Sequence, residues 1–184
     1  MRMLIEESAI DNFNLIAKLA QTKITCLGNF IVDIHAPITR IIAGFQSLAN
    51  QRPKLKKLGI YFQISLSNIS VPLCQKSCQQ IISEYVYGIG WDDLQYISFL
   101  KITLNAVELH LIFNRVTPEG QLINLNCLGA TGQQYDILRK SCSHLVKSLN
   151  ENLDYSRSES DIRELISNRY KQRANFTYTL PFTP

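Results

Sequence analysis

Histidine is scarce in this chain, three residues in 184, so any imidazole chemistry must come from His35, His110 or His144. No apolar run approaches the ~20 residues needed to cross a bilayer, and none is read as a membrane span. The N-terminus turns acidic at Glu6-Glu7 and lacks the continuous apolar core of a signal peptide. These absences imply a cytoplasmic protein. The five cysteines (Cys26, Cys74, Cys78, Cys127, Cys142) are an odd number without regular spacing. Cys74 and Cys78 share a face of an expected helix, but their spacing is not C-x2-C and no second pair completes a zinc site, so buried reduced thiols are the simpler reading. There is no G-x-S-x-G, no P-loop and no G-x-G-x-x-G. Gly88-Ile89-Gly90 follows a helix rather than a strand, the wrong context for a dinucleotide turn. Internal repeats and low-complexity segments are missing too. The surplus of positive charge is only +4, which permits nucleic-acid binding without demanding it.

What is present describes a folded globular chain, with 46% hydrophobic and 18% charged residues. The length suits one domain with a real core, residues 1–184. Apolar residues at helical spacing predict a helix over 8–20, and Ile24 to Ile34 reads as extended. Pro37 opens a helix to about Leu48. The connector Gln51-Arg52-Pro53-Lys54-Leu55-Lys56-Lys57 is basic. Ile60 to Ser67 alternates as a strand, Pro72 to Tyr87 reads as a helix, and Gln95 to Leu104 and Val107 to Val116 read as strands. Thr117-Pro118-Glu119-Gly120 is a turn, with Gln121–Leu125 as hairpin partner. Helices are expected over 132–153 and 158–170, with a further edge strand in the tail. The order implies an α+β fold, an antiparallel sheet with helices packed on one face.

The strand from Val107 to Val116 is the most informative segment. Its period of two sets Glu108 and His110 on one face. A carboxylate beside an imidazole suits a divalent metal or a proton transfer. The plainer alternative is a solvated polar face, with Lys101 and Arg115 as partners for the carboxylate. His35 reads as a loop residue and His144 as part of the long helix.

Several segments, in order, resemble one family. Phe45 with Arg52 to Lys57 and then Phe62 to Ser67 forms the first block. Tyr85 to Tyr96, with Gly88, Gly90, Asp92 and Gln95, forms the second. Leu109 to Gly120 forms the third, and Arg139 to Leu153 closes the match. From about Asn29 to Arg157 the chain resembles the relaxase/mobilization nuclease domain of plasmid transfer systems, a branch of the HUH endonucleases. The remainder, 158–184, is read as a C-terminal helix and a basic-aromatic tail. The resemblance implies an HUH-like sheet, a three-histidine site for Mg or Mn, and a tyrosine that attacks a phosphodiester of single-stranded DNA.

The chain departs from that pattern at the chemistry. One of the paired histidines is Glu108, and the upstream histidine corresponds to Lys101. The intervening acidic residues are Thr103 and Asn105, and the histidine before the Ser-Leu-Ser strand is Gln63. No tyrosine precedes Tyr61, which implies a shortened N-terminus, and Phe13 and Phe30 have no oxygen to serve as nucleophile. The expectation is therefore a DNA-binding relaxase-like protein without tyrosine nicking and without a cofactor. Two alternatives stand beside it: a residual nuclease holding Mg or Mn through Glu108 and His110, and a protein-interaction subunit. Lys101 within reach of Glu108 would take the cation's place. Residues for DNA are Arg52, Lys54, Lys56, Lys57, Lys101 and Arg115, with Arg169, Lys171 and Arg173 in the tail, where cations are interleaved with aromatics.

Overall fold

The computed structural model describes residues 1–31, 33–69 and 73–147. In chain order they form β1 (Arg2–Ile10), α1 (Asn14–Thr22), β2 (Ile24–Asn29), α2 (Ile38–Ala49), β3 (Gly59–Ser67), α3 (Gln75–Gly88), β4 (Tyr96–Ile102), β5 (Ala106–Asn114) and α4 (Gly132–Lys147). The five strands make one antiparallel sheet in the order β1-β3-β5-β4-β2, as the expected α+β class requires.

The sequence of β3 explains its place. Ile60, Phe62, Ile64 and Leu66 alternate and are buried, so one face of the strand is hydrocarbon and drives burial. The central strand β5 goes further, for its successive residues Leu111, Ile112 and Phe113 are all buried. Neighbours on a strand point to opposite faces, so this run needs cover on both. Leu109, Leu111 and Phe113 join Phe62, Ile64 and Leu66 in a core closed by Ile81, Ile82 and Tyr85 of α3 and Leu138 of α4. Ile112 joins Ile97 and Phe99 of β4 in a second core closed by Ile16 and Leu19 of α1 and Ile41 and Phe45 of α2. Helices therefore lie on both faces of the sheet. The expectation of helices on one face is corrected by the two-sided burial of β5, which clean alternation alone does not predict. At Gly88 an added Cβ would come 2.5 Å from Ile137, so glycine lets α3 and α4 close together.

Three other boundaries differ from expectation. Residues 2–10 are a strand paired along its length with β3, and the first helix starts only at Asn14. β2 stops at Asn29, where Phe30 takes a positive φ of 52°. The segment after the Thr117–Gly120 turn makes a single bridge, Val116 to Leu122, and a 3-10 turn at Leu125–Cys127 instead of a hairpin strand. The helix expected over 158–170 and the tail strand fall outside the described residues.

Candidate anion site on the sheet

Strand register assembles the site. Along β5, Glu108 pairs with Ser65 of β3 and Lys101 of β4, while His110 pairs with Gln63 and Phe99. Alternation puts Tyr61, Gln63, Lys101, Glu108 and His110 on the face that also carries Ile97, Phe99 and Ile112, the side of α1 and α2. Lys23, the residue after α1, completes the group from above the sheet.

The contacts converge on one carboxylate. Lys23 Nζ donates to Glu108 Oε2 at 3.2 Å, and Lys101 Nζ donates to Oε1 at 3.5 Å. His110 Nε2 lies 3.5 Å from the same Oε2 and has no hydrogen-bond partner, although it is buried. The Lys23 side chain is only 12% exposed, whereas Glu108 is 34% and Lys101 47% exposed, so Lys23 forms the floor and Lys101 the rim. Burial pushes the Glu108 carboxyl up, but the hydrogen bond and charge of Lys23, with Lys101 behind them, outweigh it and hold the group below its ordinary value. Glu108 is ionised at neutral pH.

On the other side of the imidazole, the Tyr61 hydroxyl is 2.6 Å from His110 Nδ1 and 3.0 Å from Gln63 Oε1. The Tyr61 and His110 rings stack, 5.9 Å apart and 9° from parallel. One hydroxyl proton cannot serve both acceptors. A proton on Nδ1 would point the Nε2 lone pair at the Glu108 carboxylate, which is repulsive. The favoured arrangement has Tyr61 donate to Nδ1 and Nε2 carry the imidazole proton; Gln63, its amide rotated, then donates to the phenol oxygen. Burial first and the Lys23 charge second lower His110 to about 4, so the ring is neutral near pH 7. Burial, then the charges of Glu108 and Glu6, push Tyr61 up to about 12.

The other expected residues scatter. Arg52 is spent on structure, its Nε and Nη2 both donating to the Gly120 carbonyl at 2.9 and 2.7 Å. Gly120 can accept this clasp from a turn because its φ of +77° suits glycine. Lys57 pairs with Asp11 at 2.6 Å. Arg115 donates to the Ile123 and Lys57 carbonyls, at 2.7 and 3.3 Å, and does not partner Glu108. Lys54 and Lys56 are exposed. This connector flanks the start of β3, opposite the last residues of β5, so it stands roughly 20 Å along the strand from Glu108 at ~3.4 Å per residue. Arg169, Lys171 and Arg173 lie outside the described residues. Two motif residues, Asn114 and Gln95, are buried scaffold: Asn114 Nδ2 donates to the Phe45 carbonyl and to Gln95 Oε1, and Gln95 Nε2 donates to the Phe30 carbonyl.

Sequence reasoning missed Lys23 and Tyr61 as site members. Lys23 has no local signal, since only the packing of α1 on the sheet brings it to Glu108. Tyr61 had one: with Gln63 and Ser65 it alternates along the strand that pairs with β5. For a cation, Glu108 and His110 are the carboxylate and imidazole of this cluster, and among the described residues no three His, Cys, Asp or Glu side chains gather as a metal cluster. Nor is any described helix long and apolar enough to cross a membrane. Comparison with family models matches residues 7–151 to the relaxase family, described as MobA/VirD2-like, nuclease domain. The match begins earlier than the resemblance read from Asn29 onward. No curated protein and no solved structure matches the chain.

Proposed function

Because the chain belongs to the relaxase family of MobA/VirD2-like nuclease domains, we propose that it acts as a single relaxase-like domain, binding single-stranded DNA in the cytoplasm in a plasmid-mobilization setting without nicking it through a tyrosine. One observation carries this reading: two lysines, Lys23 and Lys101, hold the carboxylate of Glu108 where the family places a cation.

The residues present do not fit a divalent metal. They supply one carboxylate and one imidazole instead of three histidines. The carboxylate is already held by two ammonium groups, and both imidazole nitrogens are engaged, Nδ1 by the Tyr61 hydroxyl and Nε2 by its own proton. Two like unit charges 4 Å apart repel by about 4 kcal/mol at an effective dielectric of 20, and a divalent ion doubles this for each lysine. Tyr61 does not replace the missing nucleophile. Its hydroxyl, pushed up to about 12, leaves phenolate at roughly one part in 10^5 near pH 7, and no lowered pKa activates it. Exposed Lys54 and Lys56, together with the tail cations, supply charge for the DNA backbone.

Incubation of the full chain with supercoiled origin-bearing DNA and Mn2+ or Mg2+ tests the catalytic half. The expected result is no open circle and no covalent protein–DNA adduct on a denaturing gel. Nicking that disappears in His110→Ala would restore the residual-nuclease reading through Glu108 and His110. The binding half is tested by gel shift with single-stranded oligonucleotides over a salt series, where complexes form at low salt and weaken as salt rises.

A further inference from the structure

Three donors surround one acceptor. Lys23 Nζ, Lys101 Nζ and the buried Nε2 of His110 all approach the Glu108 carboxylate, at 3.2, 3.5 and 3.5 Å. With the imidazole neutral and Glu108 ionised, the two lysines leave the cluster one positive charge in excess. His110 Nε2, directed by the Tyr61 hydrogen bond at Nδ1, is a buried donor that makes no aligned hydrogen bond, its nearest acceptor being Glu108 Oε2 at 3.5 Å. A buried N–H left this way is unfavourable and selects for an acceptor. Glu108 only partly answers it: its carboxylate is planar, one-third exposed, and shared among all three groups.

We infer that Lys23, Lys101 and His110 form a metal-free site for a backbone phosphate of single-stranded DNA, and that Glu108 is a built-in competitor occupying that site in the free protein. The inference rests on the DNA-binding reading above and gives it a location. Lys23 supplies the fixed positive charge that a metal ion would otherwise bring, anchored at the floor by the end of α1. Lys101, half exposed at the rim, meets the phosphate first. As the phosphate oxygens accept hydrogen bonds from Lys23 Nζ and His110 Nε2, the Glu108 carboxylate swings outward, which its exposure allows. Tyr61 and Gln63 act as positioning residues, since they hold the imidazole with Nε2–H toward the site. Charge-assisted contacts of this kind are stronger than neutral ones, and the tetrahedral phosphate offers an oxygen to each donor.

The competitor makes opposite signs for two substitutions the signature of the site. Fluorescence anisotropy with a labelled single-stranded oligonucleotide, on the full chain, compares wild type, Lys23→Gln, Lys23→Arg and Glu108→Gln, each in EDTA and in Mn2+. Lys23→Gln weakens binding about tenfold and lowers the salt slope by roughly 0.7, the value for one phosphate contact on a single strand. Lys23→Arg restores most of the affinity. Glu108→Gln tightens binding at least about threefold, because the competing charge is gone. EDTA and Mn2+ give equal affinities. Thermal unfolding of each variant separates lost binding from lost fold; if Lys23→Gln fails to fold, the sign of the Glu108→Gln change decides. Weaker binding by Glu108→Gln, affinity that collapses in EDTA, or a folded Lys23→Gln with wild-type affinity overturns the site while leaving DNA binding standing. If neither wild type nor Glu108→Gln binds at low salt, DNA binding itself falls, and the site with it.

Discussion

The two faces of β3 and β5 differ sharply although the same two strands build both. Toward α3 and α4, Phe62, Ile64, Leu109, Leu111 and Phe113 form continuous hydrocarbon, with Phe113 packed against the rings of Phe62, Trp91 and Tyr96. Toward α1 and α2, apolar residues fill one half of the sheet, and beyond Phe99 and Ile112 the surface turns to Tyr61, Gln63, Lys101, Glu108 and His110. The first face is what stability alone asks of a sheet. The second keeps a nearly buried lysine, a buried imidazole and a paired carboxylate where leucine and valine would serve as well or better. Polar groups kept at that cost are what the proposed DNA site would require.

Substitutions can break this contrast, and the largest effect belongs to the apolar face. Phe113→Ala, at a fully buried position with three aromatic neighbours, lowers the unfolding free energy by about 3–5 kcal/mol in denaturant titrations. The polar face responds instead to pH. The folded state holds His110 at about 4, below its ordinary 6.5. The associated stability is complete above pH 6.5 and is lost as the pH falls toward 4, because the unfolded chain takes the proton first. The loss is about 3 kcal/mol at most, and it vanishes in His110→Gln, as unfolding curves between pH 7 and 4 will show. Glu108→Gln, by removing the partner of a nearly buried ammonium, reduces stability by about 1–2 kcal/mol at pH 7, measurable as a shift in denaturation midpoint. Smallest of all is the response to Mn2+: a millimolar addition leaves the wild-type Tm unchanged, and an increase of several degrees would show a retained metal site.

Much of the apolar face was legible in the sequence, because it depends on period and composition. Ile60, Phe62, Ile64 and Leu66 announce β3, and the helical spacing in residues 38–49 and 75–88 announces α2 and α3. Residues 2–10 were not legible as a strand. Their Glu6 and Glu7 read as an acidic N-terminus leading into a helix, and β1 owes its form to the nine-residue pairing with β3. Glu7 on one side answers Gln134 and the Gly129 amide, and neither contact can be read locally. The polar face was half legible. The Glu108–His110 pair and the intrusion of Lys101 follow from strand alternation, whereas Lys23 arrives from a different element across 85 positions of sequence. The basic connector misled in the opposite way, since two of its four cations are held by surface partners, Arg52 by the Gly120 carbonyl and Lys57 by Asp11.

Among the described residues β1 forms an edge of the sheet, and open edges invite other strands. Here the Ile5 amide donates to the Tyr135 hydroxyl of α4, 3.1 Å away and 130 positions along the chain. An incoming strand would have to evict that phenol before it could begin to pair. A side chain from the last described helix thus guards the first strand, and Tyr135→Phe, which keeps the ring and removes the oxygen, would leave the flank of the sheet open to its own copies.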